Sequence, residues 1–332
     1  MNEISNHSSS RGVKRLNFPV ACLIAFMLVA SSFVYGCNGG LEAETPTTPL
    51  PTEESTPEQV MPEPDTEEPP EIPPASTFII GFDDFLSPKP SSSSFGGTEQ
   101  SLKYVAFTLK NSDLFADNLY APDEQKNWGF AALNVGFWNS VLFIGLAIPV
   151  AAFVESFNHS PEQQPDYTWV WSYDVPVEDQ LYTAELHGGF IDNGVRWEMY
   201  VSKEGEYSDF QWYYGESNLP ATEGFWILMK SPSDPTELLR INWHRDINDG
   251  SSDIKYTNIV PGGPENGGYI LYEVTTETPY DRSYEIYNKG KDNTTNIEWN
   301  SSIMEGRVKD SRHFGDGDWH CWDFDHRDVE CP

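Results

Sequence analysis

Asp166-Tyr167-Thr168-Trp169-Val170-Trp171-Ser172-Tyr173 is the stretch from which the fold follows. Along an extended chain successive side chains point to opposite faces, so Tyr167, Trp169, Trp171 and Tyr173 share one side and Thr168, Val170 and Ser172 the other. That makes a strand with one thick aromatic face to bury. The same period of two returns in runs centred on 181–186, 195–201, 210–214, 225–229, 238–244, 254–259, 269–274, 283–287, 297–299 and 303–308. Turn-forming clusters separate them: Asp192-Asn193-Gly194, Asp249-Gly250, Pro261-Gly262-Gly263-Pro264 and Asn288-Lys289-Gly290. With no helical run in between, residues 166–309 read as an antiparallel meander of about eleven short strands. A twisted sheet of that size curls into a barrel or half-barrel.

Upstream lies a segment of opposite character. From Gly129 to Val154 there is no charged residue, and Phe130, Leu133, Phe137, Val141, Ile144, Ile148 and Ala152 recur at threes and fours. The spacing predicts a helix over roughly 127–156 that is apolar on nearly every side. Its length would suffice to cross a bilayer, for which about twenty apolar residues are enough. Asn134, Asn139, Ser140, Pro149 and three glycines favour instead a helix surrounded by protein. A curled sheet needs a filling and an all-apolar helix needs a cover, so the helix is expected to pack on the sheet. The fold class is therefore mainly β with a helical segment. A further helix is expected over 102–120 and a short strand over 77–82.

The chain opens with Arg11, Lys14 and Arg15, an apolar run over 16–33, and Val34-Tyr35-Gly36-Cys37. This is the make-up of an export signal. The end of the run resembles the lipobox of bacterial lipoproteins, over the first forty residues only. The resemblance implies cleavage before Cys37 and attachment of diacylglycerol to its thiol, with palmitate-type acylation, so that the bilayer is a partner through Cys37. The chain would then be exported and held at the cell membrane or outer membrane, with its domain outside the cytoplasm. Residues 41–77 hold ten prolines and ten acidic residues with no Lys or Arg, the composition of an extended spacer. The organisation expected is a signal peptide over 1–36, a linker over 37–77 and one globular domain over 78–332. Within the domain, residues 101–157 are helical, 166–309 form the meander and 310–332 make a stapled tail. Export also decides the topology of the apolar helix, because a second span would return the C-terminal part to the cytosol.

Charge narrows the partners. The chain carries 20 basic against 52 acidic residues, and losing Arg11, Lys14, Arg15 and Glu3 with the signal leaves 17 against 51, a net charge of −34. Such a surface repels phosphate backbones, so no nucleic acid is expected; a monomer and no cofactor are.

Strong enzyme signatures such as HExxH, the phosphate loop or the nucleophile elbow do not occur after Cys37, and an enzyme is not the favoured reading. Reactive side chains concentrate at the C-terminus, where His313, Asp316, Asp318, His320, Cys321, Asp323, Asp325, His326, Asp328 and Cys331 lie close together. In an oxidising compartment Cys321 and Cys331 make a disulfide, with no metal. The alternative is a metal site drawing on His313, His320, His326, Asp316 and Asp318. Tryptophans recur in the strands, and Trp169, Trp171, Trp197, Trp212 and Trp243 are candidate ligand-binding residues; as strand formers they also suit a core. Helix plus curved sheet resembles, in layout alone, the half-barrel lipoproteins and carriers of bacterial envelopes, whose apolar hollow takes acyl chains. That implies a non-enzymatic lipoprotein binding a hydrophobic or lipid-like small molecule. Two alternatives stay open. One is a surface module that binds glycan or protein through exposed aromatics, and the other a glycoside-type hydrolase with unidentified carboxylates.

Overall fold

The alternation that begins at Trp169 sets up a sheet in which every strand pairs antiparallel with its neighbour in sequence. The strands are β1 (Glu162–Gln163), β2 (Trp169–Val177), β3 (Gln180–Ile191), β4 (Gly194–Lys203), β5 (Tyr207–Asn218), β6 (Glu223–Ser231) and β7 (Asp234–Arg245). They continue with β8 (Ser252–Asn258), β9 (Tyr269–Val274), β10 (Arg282–Asn288), β11 (Asn293–Trp299), β12 (Gly306–Lys309), β13 (His320–Trp322) and β14 (Asp328–Val329). The computed structural model describes residues 68–79, 124–177 and 179–332, apart from the side chains of 139–141 and 143–145. All of them fall in one compact unit. The sheet has fourteen strands in sequence order, not eleven, and it is open: β1 pairs with β2 and β14 with β13. The extra strands, β1, β13 and β14, span two or three residues each, too few to show a period. The run at 303–308 becomes a strand only from Gly306, because Asn300 ties residues 302 to 304 into a turn, its side-chain oxygen accepting from the Ser302 and Ile303 N–H groups.

One long helix, α1 (Lys126–Glu155), lies against the inner face of this sheet. It touches β2 and β4 at one side and β12, β13 and β14 at the other, so it bridges the two margins that the strands leave apart. Ala131, Ala132, Val135, Ala152, Phe153 and Val154 are buried against the sheet. Among the described residues no helix is long and apolar enough to cross a membrane. Pro149 lacks the N–H that would bond residue 145, and α1 continues through it.

The ends of α1 are satisfied from far away in sequence. No side chain next to its start caps it. Instead the Asp328 carboxylate accepts from the Lys126 and Asn127 N–H groups at 3.1 and 2.9 Å, a negative charge at the positive end of the helix. Asn127 in turn donates to the Cys321 carbonyl at 2.8 Å. At the far end Tyr173 of β2 donates its hydroxyl to the Ala152 carbonyl at 2.7 Å. Cys321 and Cys331 are disulfide-bonded, which holds the capping tail in place. Within that tail, α2 (Ser311–Phe314) is capped by the buried Asp310, whose carboxylate accepts from Arg312 and His313 N–H at 3.0 and 2.9 Å.

Residues 68–79 depart from expectation. The end of the proline-rich stretch is packed on the domain: Pro70, Pro73, Thr77 and Phe78 are buried, so the globular part starts before residue 78. Ala75–Thr77 forms a single 3-10 turn where a strand over 77–82 was expected, and residues 80–82 lie outside the described residues, as do the helix expected over 102–120 and everything up to residue 67. Phe78 fills a hole in the sheet's inner face, with its ring 5.0 Å from Phe153, 4.9 Å from Tyr213 and 5.6 Å from Trp226. Burying one such ring contributes about 2–3 kcal/mol. Two hydrogen bonds fix the strap: Trp226 Nε1 donates to Thr77 Oγ1 at 3.3 Å and the Tyr256 hydroxyl to the Phe78 carbonyl at 2.9 Å. The negative charges of the stretch hid this, since composition averages over the few apolar residues that anchor it.

The inner face follows a size rule. Across β2 to β6 one rung reads Trp169, Gly188, Trp197, Gly215, Trp226, so that each tryptophan stands opposite a glycine. Trp243 faces Gly224, and both Trp299 and Trp322 face Gly306. A Cβ on Gly188 would sit 2.7 Å from the Trp197 ring, one on Gly215 2.6 Å from Trp226, and one on Gly224 2.5 Å from Trp243. A glycine on the next strand makes room for each indole.

Candidate functional site

Where the inner face is apolar, the outer face of the same strands is polar, and across β6 to β12 it lines up. Antiparallel register places Glu223, His244, Asp253, Glu273, Ser283, Glu298 and Arg307 in one row, each directly opposite the next. Neighbours in such a row have their Cβ atoms about 5 Å apart and interact. His244 Nδ1 lies 3.4 Å from Asp253 Oδ1. Ser283 donates its hydroxyl to Glu273 Oε2 at 2.7 Å, and Arg307 Nε donates to Glu298 Oε2 at 2.7 Å. Only Asp253 and Glu273 meet as like charges. Burial first and the Glu273 charge second push the Asp253 carboxyl above the usual carboxylate range, against the pull of His244.

The connection from β9 to β10, residues 275–281, stands as a wall over this row. Thr275 donates its N–H to the Asp281 carbonyl at 3.0 Å, Asn300 its amide to the Pro279 carbonyl at 2.7 Å, and Ser301 its hydroxyl to Asp281 Oδ2 at 2.7 Å. The result is a groove of about 460 Å³ lined by His244, Asp253, Glu273, Glu277, Tyr280, Ser283, Glu298 and Arg307 among others. At one end the Arg307 guanidinium lies 4.9 Å from the Tyr280 ring and 4.2 Å from the Trp319 ring, with Lys309 4.6 Å from Trp319 on the other strand position. Burial raises the Tyr280 phenol above its ordinary range, partly offset by Arg307. The groove thus combines carboxylate acceptors, the Arg282 and Arg307 guanidiniums and the Tyr280 ring, with the Trp319 ring on the other side of Arg307. A smaller cleft of about 390 Å³, lined by Tyr207, Phe210, Met229, Pro232 and Pro235, brings a single carboxylate, Asp209, and no such row.

The residues singled out from the sequence sit elsewhere. Trp169, Trp171, Trp197, Trp212 and Trp243 are all buried, with exposures of 9, 3, 0, 7 and 4 %. They belong to the buried core, not to an open surface. Three polar atoms among these inner-face rings, Trp169 Nε1, Tyr213 Oη and Trp243 Nε1, find no hydrogen-bond partner among the described residues. The C-terminal histidines are spent on stacking. His313 lies 3.7 Å from Phe130, His326 4.2 Å from Trp128 and His320 3.7 Å from Phe314. His320 also bonds Asp316 at 3.0 Å, and Asp316 accepts from the Asp318 N–H at 3.1 Å. Burial lowers the His313 and His326 imidazoles, which suits neutral rings stacked on the helix. Among the described residues no three of His, Cys, Asp and Glu are placed to hold a metal ion. Cys37 lies outside the described residues.

An outward row of this kind leaves no local motif in the sequence. Its members are scattered over residues 223–307, one per strand, and only the register aligns them. The chain matches no family model, no curated protein and no solved structure.

Proposed function

We propose that this chain is a lipid-anchored binding module of the cell envelope, not an enzyme, and that it holds a polyhydroxylated, glycan-like ligand in the outer groove over β7 to β12. The aligned row ending at the Tyr280 and Trp319 rings carries the reading: carboxylates accept from hydroxyl groups, and aromatic faces lie against the C–H faces of sugar rings. The lipobox-like stretch at Cys37 and the acidic spacer support the anchor. A glycan array probed with the chain carrying Cys37→Ser, and with the same chain also carrying Glu273→Gln and Trp319→Ala, tests the groove. At least one class of glycan is expected to be retained by the first and lost by the second. Retention of none, or equal retention by both, would sink the proposal. Cleaved glycan in the same assay would turn the Asp253 and Glu273 pair into a hydrolase candidate.

A second reading, a hydrophobic or lipid-like ligand at the inner face, draws its support from the polar atoms of Trp169, Tyr213 and Trp243 that have no partner among the described residues. A buried group of this kind costs about 1–3 kcal/mol unless something satisfies it. Against it stand α1 and the strap, which occupy that face.

A further inference from the structure

In an antiparallel meander alternate connections emerge at the same rim. Seven connections share one rim here: those after β1, β3, β5, β7, β9, β11 and β13. The one after β9 forms the groove wall. Each of the other six presents a large exposed apolar side chain in the connection or at the strand end beside it, in order Tyr167, Ile191, Leu219, Ile247, Ile303 and Phe324, with exposures from 44 % at Ile191 to 69 % at Ile247. At the opposite rim the described connections and adjoining strand ends show one, Leu181 near the start of β3. The asymmetry is too regular to be the usual scatter of surface hydrophobics.

We propose that this rim docks on an electrically neutral lipid surface. Spacing, charge and the course of the chain each support lipid as the occupant. Connections at one rim are separated by two strand spacings, about 10 Å, so the tips are too far apart to form one pocket but suited to entering a soft apolar medium singly. Acidic residues flank the tips, among them Asp166, Asp192, Asp246, Asp249, Asp323 and Asp325, and these would repel anionic headgroups. The described start of the strap lies near this rim: Pro70 packs over Gly188, three residues before Ile191. The proposal rests on the anchored reading for its choice of lipid.

Flotation of the full exported chain carrying Cys37→Ser, which cannot be acylated, tests the rim without the tether. The chain is expected to float with phosphatidylcholine vesicles and less with vesicles containing phosphatidylglycerol. Ile247→Asp with Phe324→Asp, both at exposed tips, is expected to lower the bound fraction at least about tenfold. Absence of flotation on neutral vesicles would overturn the proposal, and so would a preference for anionic vesicles or an undiminished double variant. A protein partner for this rim would show as the first of these outcomes. The anchor is tested apart from this, by the mass of the mature N-terminus of the unaltered chain. An unacylated mass there would remove the tether while leaving the flotation result to stand or fall alone.

Discussion

Trp226→Ala is expected to destabilise the domain by about 3–5 kcal/mol, the range for deleting a fully buried large aromatic ring. Trp226 has no exposed surface and sits where three layers meet. Its ring lies 5.4 Å from Phe153 of α1, 5.6 Å from Phe78 of the strap and 5.6 Å from Tyr213 of the sheet. It also gives Thr77 its side-chain hydrogen bond. The loss therefore reaches beyond the cavity, because the strap is released at one of its two pins. For a domain of this size each kcal/mol moves the melting temperature by about 2–4 °C, so thermal unfolding followed by circular dichroism should show a drop of about 6–20 °C. Hydrogen exchange should rise over residues 72–79 as well. A change of only a degree or two, with the strap still protected, would mean that the strap and α1 do not share one core with the sheet.

Gly215→Val is expected to cost about 3 kcal/mol or more and to prevent accumulation of folded protein at elevated temperature. Valine favours strands, so propensity alone would predict a gain. Gly215 stands between Trp197 and Trp226 in the register, and a side chain there meets the Phe225 carbonyl oxygen as well as the Trp226 ring. The backbone oxygen cannot move aside without breaking the ladder. Gly189, next to the paired Gly188, has open space around an added Cβ, and Gly189→Ala is the control that should be nearly neutral. Comparable melting temperatures for Gly215→Val and Gly189→Ala would refute the size rule of the inner face.

Much of this architecture is legible in the amino-acid sequence. The period of two that starts at Trp169, the turn clusters and the charge-free run over 129–154 indicate strands, hairpins and a buried helix, because burial pattern is local in sequence. The Cys321 and Cys331 pairing is legible from their number and spacing. What the helix rests on is not, since Asp328 caps it from about two hundred residues away and no local pattern marks that pairing. The strap is obscured in a different way: Ile72, Pro73, Thr77 and Phe78 are few among acidic residues and prolines, and mean composition describes the majority. The tryptophans are correctly placed in strands, yet their face stays undetermined until the glycines opposite them show that they point inward. Gly188, Gly215, Gly224 and Gly306, in or beside strand-like runs, are the signal the sequence offers for that face. The outer groove leaves none, because one polar residue per strand is what any solvated face shows.

These observations assign the inner face to the core, and the proposed ligand surface is the outer one. Native mass spectrometry of the purified chain carrying Cys37→Ser tests that assignment most directly. The expected spectrum shows the mass of the polypeptide alone, with the disulfide formed and no apolar molecule released on denaturation. A stoichiometric lipid-sized adduct that leaves only on unfolding would contradict it and place the ligand beneath α1.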